Sequence, residues 1–429
     1  MSPIRKLVNS LVRARSVTLM SASLFVFFLS LFPRASAAED ASALVQKFWH
    51  ADSLETRAAA ADEIVNAKIP VSTLMKELSV GRLHRDDVPT GIVLDSRISD
   101  TGLELPYVLI VPKTYDPERR YPVEFMLHGG VGRGPWEEGD VYWRRGYEAL
   151  ASEDKITIVP AGWRDAHWWH EEQAKSLPAI LRRVKRDYNV DDNRVTMSGV
   201  SDGGTGSYFY AFKQSTPFAA FLPFIGNAGV LRNPQSGGGY WLFFENLRSK
   251  PLFIVNSEND PLYPAASIEP FISILDRAEV DHEFTVIENG GHNLDWMPDQ
   301  IDRIEAFKRD NPRDALPDSV QWLTDRTDIF NRNHWLVVES RTSDEDPAIV
   351  IATRSGNKYE VNASSVGQFS LLLSPDEIDF SKPVSVVVND EEKFSGMVEQ
   401  SAATLLKWAQ EDLDRTMLFS AELAISLEN

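Results

Sequence analysis

The chain has 429 residues, 43% of them hydrophobic and 25% charged, which is enough for two or three globular domains. Its formal net charge of −19 argues against nucleic acid or an anionic membrane surface as a partner. It has no cysteine, which excludes a thiolate nucleophile, cysteine–zinc sites and disulfide bonds.

Residues 1–37 have the pattern of a secretory signal peptide. Basic residues without any acid precede an apolar run at 17–32, and Ala35-Ser36-Ala37 offers the small residues that signal peptidase reads. We expect cleavage after Ala37, no stable membrane insertion afterwards, and a periplasmic or secreted protein. The alternative is an uncleaved anchor, but this apolar run is short for a span of about 20 residues. Cleavage would remove five basic residues, changing the net charge from −19 to −24.

Residues 38–90 predict a small helical segment that packs on the main domain. Two runs, 41–49 and 53–67, are rich in Ala, Leu and Glu, and Ser53 is typical of a helix cap. Pro70 separates them from a third helical run.

Predicted strands and helices alternate from residue 91 to about residue 310. The strand predicted at 123–128 ends in His128-Gly129-Gly130. Because glycine lets the backbone approach a substrate carbonyl, we expect an N–H of Gly129 or Gly130 to face a developing oxyanion. His128 is expected to hold this turn and not to act as a base.

A loop rich in aromatic residues follows the strand predicted at 157–160. Trp163, Trp168 and Trp169 are expected to wall a substrate cleft, since indole offers a large rigid contact area with a polar edge. His167 and His170 lie three residues apart in the same loop. No carboxylate at a suitable spacing completes a metal site, so neither a metal nor an organic cofactor is expected.

The sequence Gly199-Val-Ser201-Asp202-Gly203 has the form G-x-S-x-G, between a β-prone run and a helix-like run. A serine on a sharp strand-to-helix turn needs small neighbours two positions away, because larger side chains would collide with the strand and the helix. Such a turn raises the Ser201 hydroxyl above the sheet, beside a helix N-terminus that favours negative charge. Taken alone, the motif fits a glycine-rich loop equally well.

An acid and an imidazole follow the last two strands of this region. The strand at 251–256 runs into a loop that contains Glu258 and Asp260, and the strand at 283–287 precedes Gly-Gly-His292. The carboxyl ends of parallel strands meet at one edge of a sheet, so we expect an acid and His292 beside Ser201.

The chain order Ser201, Asp260, His292, with an oxyanion loop upstream, resembles the α/β-hydrolase superfamily over about residues 91–310. It is similar to exported esterases and predicted peptidases near dienelactone hydrolase, polyhydroxyalkanoate depolymerase and the prolyl oligopeptidase catalytic domain. The resemblance implies an α/β fold with a mostly parallel central sheet. It also favours Asp260 over Glu258, because the superfamily's acid loop usually carries Asp-Pro.

The resemblance further implies an exported serine hydrolase that forms an acyl-enzyme on Ser201, with the N–H of Asp202 in the oxyanion hole. The expected substrate is a small-molecule or polymeric carboxylic ester. A serine peptidase of the prolyl-oligopeptidase type would use the same triad. A non-catalytic binding protein is a third alternative, which the complete triad disfavours.

Residues 311–429 predict a β-rich C-terminal domain of sandwich type, interrupted by a helix at 402–412. The predicted strands cover 319–323, 335–339, 348–353, 368–373, 384–388 and 417–425. Such a domain could bind a carbohydrate or polymer through Trp322 and Trp335, or simply pack on the catalytic domain. We favour packing, because aromatic residues in β-strands lie more often in the core.

Overall fold

The computed structural model describes residues 37–135 and 147–427. The predicted signal peptide, apart from Ala37, lies outside the described residues. The helices are α1 (Ala37–His50), α2 (Leu54–Asn66), α3 (Val71–Val80), α4 (Glu171–Asp187), α5 (Asp202–Lys213), α6 (Ala265–Arg277), α7 (Met297–Asp310) and α8 (Ala402–Asp412). None of these helices is both long and apolar enough to cross a membrane.

The strands fall into three sheets. The first contains β1 (Gly91–Ile98), β2 (Glu104–Val111), β3 (Tyr121–Leu127), β4 (Ile156–Pro160), β5 (Val190–Val200), β6 (Ala220–Phe224), β7 (Leu252–Ser257) and β8 (His282–Ile287). The other two contain β9 (Ser319–Thr324), β10 (Arg332–Asn333), β11 (Leu336–Arg341), β12 (Ala348–Ser355), β13 (Lys358–Ser364), β14 (Val366–Leu373), β15 (Val384–Val388), β16 (Glu391–Gly396) and β17 (Ala421–Ser426).

The first sheet has the strand order β1-β2-β4-β3-β5-β6-β7-β8. Strand β2 runs antiparallel to its neighbours β1 and β4, whereas β4, β3 and β5 to β8 pair in parallel. Every residue of β4, β6 and β7 is buried, as expected for parallel strands covered on both faces. The predicted α/β-hydrolase fold with a mostly parallel central sheet is confirmed.

Helices cover both faces of this sheet. On one face, α4, α5 and α6 bury apolar side chains such as Leu177, Phe209 and Leu275 against the strands. On the other face, Ile304 and Phe307 of α7 pack against β6 and β7. In the sheet, β3 has β4 as its neighbour on one side and β5 on the other, so the strand order reverses at β3. The carboxyl ends of β3 and β5 therefore flank a crevice of the kind in which open α/β sheets bind ligands.

The β-rich C-terminal region is a sandwich. One sheet has the order β10-β11-β14-β17 and the other the order β16-β15-β13-β12-β9, and both contribute to one apolar core. Trp322 and Trp335 lie inside this core, 0% and 1% exposed, and their indole N–H groups donate to the carbonyl oxygens of Phe330 and Pro317. The packing interpretation of both tryptophans fits this burial.

The N-terminal helices α1 to α3 pack mainly on the C-terminal region. Val45, Phe48 and Leu74 share an apolar core with Leu405 and Ala409 of α8. The helices therefore pack on α8, and the contact expected with the main domain comes from the end of the segment, where Pro89 accepts a hydrogen bond from the Tyr188 hydroxyl at 2.7 Å. The reason for the packing on α8 is that this helix offers the matching apolar face, which the sequence of either segment does not reveal alone.

A buried polar network joins the C-terminal region to the first sheet. Arg313 donates to the carboxylate of Asp414 at 2.6 Å and to Oδ1 of Asn193, which lies on β5. Lys185 of α4 contacts Asp192 at 2.8 Å and Asp414 at 3.6 Å. Because every charge in this network has an opposite partner, burial of these ions is tolerated.

Candidate active site

Ser201 occupies a strained turn between β5 and α5. Its φ of 57° and ψ of −118° lie where side chains other than glycine are uncommon, and its N–H donates to the carbonyl oxygen of Phe224 at 2.9 Å. A Cβ on Gly199 would fall on the carbonyl oxygen of Gly203, and a Cβ on Gly203 would fall on that of Leu127. The two flanking glycines are therefore required by close backbone approach, as the motif predicts.

Three side chains from separate loops meet at this turn. Oγ of Ser201 lies 2.9 Å from Nε2 of His292, and Nδ1 of His292 lies 2.7 Å from Oδ2 of Asp260. A carboxylate only accepts hydrogen bonds, so Nδ1 carries the proton and Nε2 is free to accept from the serine hydroxyl. The structure thus brings together the three residues expected from the sequence.

Asp260 is held more firmly than its competitor. It is 2% exposed, and its second oxygen accepts the backbone N–H groups of Leu262 and Tyr263 at 2.8 and 3.0 Å. Glu258 instead accepts the N–H of Asn289, at 2.8 Å on the exposed side of the same loop. Asp260, and not Glu258, is therefore the carboxylate that His292 contacts.

The glycine loop after β3 lies against the serine. A Cβ on Gly129 would come within 2.8 Å of Cβ and 3.4 Å of Oγ of Ser201, so only glycine lets the backbone pass here. Gly130 has a φ of 71°, which also favours glycine. Across from this loop, Asp202 is the first residue of α5, where a backbone N–H has no partner within the helix. Of the residues expected at the oxyanion hole, Gly129 thus lies against Ser201, and Asp202 follows Ser201 at the start of α5.

His128 holds the glycine loop in place, as expected. Its Nε2 accepts the N–H of Gly162 at 3.0 Å, so the proton is on Nδ1, which lies 2.8 Å from the carbonyl oxygen of Gly129. The carbonyl oxygen of His128 accepts the indole N–H of Trp168 at 2.9 Å. With both ring nitrogens engaged in this way, His128 is not placed to act as a base.

The expectation that three tryptophans wall a substrate cleft does not fit the structure. Trp163, Trp168 and Trp169 are 4%, 0% and 2% exposed, so almost no ring surface is open to a ligand. Trp168 fits closely against Gly162 and Gly206, where a Cβ would collide with its ring. The indole N–H of Trp169 donates to the carbonyl oxygen of Ser236 at 3.0 Å. These rings are therefore supports for the loops around the site.

His167 and His170 lie together, with ring centroids 4.7 Å apart. Burial lowers the pKa of His167, and the neighbouring His170 lowers it further. Among the described residues there is no group of three or more His, Asp or Glu side chains that could hold a metal ion.

One contact at the site has no counterpart in the sequence analysis. The carboxylate of Asp202 accepts the backbone N–H of Val131 at 2.9 Å, across 71 residues of chain. No local motif reports such a contact, because it depends on how β3 and β5 are placed side by side.

Comparisons with known proteins give partial matches. No family model matches the chain. It is 26% identical over 155 residues to a bifunctional acetylxylan esterase/xylanase of Neocallimastix patriciarum, covering 35% of this chain and 21% of that protein. It is 30% identical over 128 residues to feruloyl esterase C of Emericella nidulans, covering 27% and 43%. The chain thus spans less than half the length of these relatives.

Solved structures give low overall scores. A thermostable esterase has a TM-score of 0.41 and 21% identity, covering 52% of this chain and 63% of that one. Dipeptidyl peptidase 4 of Porphyromonas gingivalis has a TM-score of 0.42 and 18% identity, covering 51% and 35%.

The strand order and the positions of Ser201, Asp260 and His292 both fit the same fold. Strand β2 is antiparallel within an otherwise parallel sheet, and Ser201, Asp260 and His292 follow β5, β7 and β8 in turn. That sequence of strands and side chains is the one by which the superfamily is recognised. The chain thus has an α/β-hydrolase fold, and it is similar to esterases over part of its length.

Proposed function

We propose that the chain is an exported serine hydrolase that cleaves a carboxylic ester through an acyl-enzyme on Ser201. The observation that carries the proposal is the continuous pair of hydrogen bonds, 2.9 Å from Ser201 to His292 and 2.7 Å from His292 to Asp260. A neutral serine is a poor nucleophile, and this arrangement supplies the base that activates it.

In the first half-reaction, Oγ of Ser201 attacks the ester carbonyl carbon and gives its proton to Nε2 of His292. The carbonyl electron pair moves onto oxygen. When the carbonyl re-forms, the bond to the alcohol oxygen breaks and the alcohol leaves with the proton from Nε2. Water then attacks the acyl-enzyme by the same steps, releasing the carboxylic acid and restoring Ser201. Asp260 keeps the proton on Nδ1 and stabilises the imidazolium.

The oxyanion is assigned to the N–H of Asp202 and an N–H of Gly129 or Gly130. The placement of Gly129 and Asp202 beside Ser201 supports the assignment, as does the positive end of α5, which favours negative charge. Loss of one such donor lowers kcat by about 10²- to 10³-fold in comparable hydrolases.

The names of the relatives suggest which acyl groups to try first. They are described as acetylxylan and feruloyl esterases, so we propose acetyl or feruloyl esters as the substrate class. Either acyl group leaves the chemistry at Ser201 unchanged, because the triad acts on the carbonyl and not on the remainder of the acid.

The test uses hydrolysis of p-nitrophenyl acetate and methyl ferulate, together with labelling by a fluorophosphonate probe. The wild type should hydrolyse at least one ester and carry the label on Ser201, and Ser201→Ala should lose both. Ser79→Ala is the control, since that hydroxyl lies at the surface of α3 and donates to the carbonyl oxygen of Lys76. Equal rates for Ser201→Ala and the wild type would overturn the proposal. Faster cleavage of peptide p-nitroanilides would favour a peptidase instead.

Export is tested separately. The N-terminus of the protein recovered from the periplasm or the medium should be Ala38. Recovery of the full-length chain, with residues 1–37 still present, in the membrane fraction would contradict cleavage.

A further inference from the structure

Asp202 contributes more to the site than a backbone N–H. Its Oδ2 accepts the N–H of Val131 at 2.9 Å. Val131 directly follows Gly130, and its side chain is 1% exposed within the main apolar core. A single residue at the start of α5 thus reaches across to the loop that carries the other expected oxyanion donors.

A role for this carboxylate in starting the helix does not explain the contact. An acid in the first turn interacts favourably with the helix dipole, but that interaction requires no partner on another loop. Moreover, a negative charge next to Ser201 opposes the negative charge that develops on the substrate oxygen. A carboxylate at this position therefore hinders the reaction electrostatically unless its hydrogen bond provides a larger benefit.

The two sides of the glycine loop are held differently. On one side, Trp168 and Gly162 fix His128 through its carbonyl oxygen and its ring. On the other side, the bond from Val131 to Asp202 fixes the residue after Gly130. Gly129 and Gly130 lie between these two anchors, and the second anchor, Asp202, belongs to the helix turn that begins at Ser201.

We propose that the Asp202 side chain is a positioning residue, which sets the Gly129–Gly130 backbone against the N-terminus of α5 so that N–H groups from both reach one oxygen atom. This inference rests on the proposed function. Donors that are fixed before the reaction stabilise an oxyanion without reorganising, whereas a loosened loop loses part of that benefit.

The proposal and a purely electrostatic role predict opposite results for one substitution. Asp202→Ala removes both the charge and the acceptor for Val131. If the charge alone mattered, its removal would leave kcat unchanged or raise it. If positioning matters, kcat falls while KM changes little, because the oxyanion donors act on the transition state more than on the bound ester.

The experiment compares the wild type, Asp202→Ala and Asp202→Asn on p-nitrophenyl acetate, with Ser201→Ala as the inactive reference. The side-chain oxygen of Asn can still accept the Val131 N–H without carrying a charge. We expect Asp202→Ala to lose about 10- to 100-fold in kcat with KM within about threefold, and Asp202→Asn to stay within about threefold of the wild type. Thermal unfolding checks that both variants fold.

A second measurement does not depend on turnover. Amide hydrogen exchange at Val131 should be faster in Asp202→Ala than in Asp202→Asn. If Asp202→Ala does not fold, Asp202→Ser replaces it, since its hydroxyl is too short to reach Val131.

The outcomes separate the two proposals. A Ser201-dependent wild type with equal kcat in Asp202→Ala and Asp202→Asn overturns the positioning role alone. A wild type with no more activity than Ser201→Ala overturns the proposed function and the positioning role with it.

Discussion

The carboxylate of Asp260 lies 2.7 Å from Nδ1 of His292, and its other oxygen is occupied by two backbone N–H groups. The carboxylate is therefore fixed in orientation before any substrate binds. The His292 ring is fixed in turn by this carboxylate, so Nε2 already points toward the Ser201 hydroxyl in a single orientation.

The first prediction concerns the identity of the triad acid. Asp260→Asn can donate to Nδ1, which favours the wrong tautomer of His292, and we expect kcat to fall by about 10⁴-fold. Glu258→Gln is the matched control, because its amide oxygen can still accept the N–H of Asn289, and its kcat should stay within about twofold. Steady-state ester hydrolysis measures both, and the reverse order would give the acid role to Glu258.

The second prediction concerns Trp168 as a support of the glycine loop. Trp168→Phe keeps an aromatic ring but removes the indole N–H that donates to the part-buried carbonyl oxygen of His128. We expect a loss of about 1–3 kcal/mol in the free energy of unfolding, together with a lower kcat. Trp169→Phe removes an equivalent bond to Ser236, so it should lose similar stability and retain kcat. Equal kcat in the two variants would show that Trp168 acts only on stability.

The third prediction concerns the turn at Ser201. Gly203→Ala places a Cβ on the carbonyl oxygen of Leu127, which belongs to a central strand and cannot move aside. We expect no soluble folded protein, because backbone on both sides would have to shift. Gly291→Ala should fold, since the nearest atom to its new Cβ would be 3.7 Å away. Circular dichroism and yield after refolding measure the difference, and a folded Gly203→Ala would contradict the close approach.

The fourth prediction concerns pH. Burial alone would raise the pKa of Glu124, but the ammonium groups of Lys308 and Lys155, at 2.6 and 2.7 Å, outweigh burial and lower the pKa to about 2. A lowered folded-state pKa gives stability that is present above the ordinary value of 4.5 and is lost as pH falls toward 2. The advantage of the wild type over Glu124→Gln in urea unfolding should therefore shrink across this window.

Glu305 provides the control for this pH dependence. It contacts the same two lysines, but its side chain is 44% exposed. Glu305→Gln should change the free energy of unfolding by less than about 1 kcal/mol at neutral pH. A larger effect from Glu305 than from Glu124 would contradict the assignment.

The fifth prediction concerns the buried ion-pair network between the C-terminal region and the first sheet. Asp414→Asn leaves Arg313 and Lys185 buried without their shared carboxylate, and we expect a loss of about 3–5 kcal/mol in the free energy of unfolding. Glu63→Gln breaks an exposed pair with Lys47 and should cost less than about 1 kcal/mol. Chemical unfolding compares them, and equal losses would show that the buried network contributes no more than a surface pair.

The triad could be predicted from the sequence because each part has a local signal. Ser201 lies between two glycines that the turn requires, and Asp260 and His292 each follow a strand with a loop of recognisable composition. The helix at 402–412 was also predicted with the bounds the structure has, since its apolar spacing is regular.

What could not be predicted depends on contacts between distant segments. Tryptophan is found both in ligand clefts and in cores, so the sequence after β4 does not distinguish the two. It is the fold that brings the Trp168 indole N–H to the carbonyl oxygen of His128. Strand β1 exposes Ile92 and Leu94 and is recognisable only through its pairing with β2. The sequence analysis also misses strands β13 and β16, because polar side chains take every second position of β13 and β16 has Phe394 as its one large apolar residue.

The shared core of the N-terminal helices and α8 has a consequence for folding. Phe48 and Leu74 can contact Leu405 and Ala409 only after more than three hundred intervening residues have been synthesised. The apolar faces of α1 to α3 therefore stay uncovered while the first sheet assembles. This contact joins the helices that precede the first sheet to a helix that follows it by more than a hundred residues. Truncation just before residue 402 should therefore expose the apolar faces of α1 to α3. The N-terminal segment should then be prone to aggregation and sensitive to proteases, even though the deletion removes none of its residues.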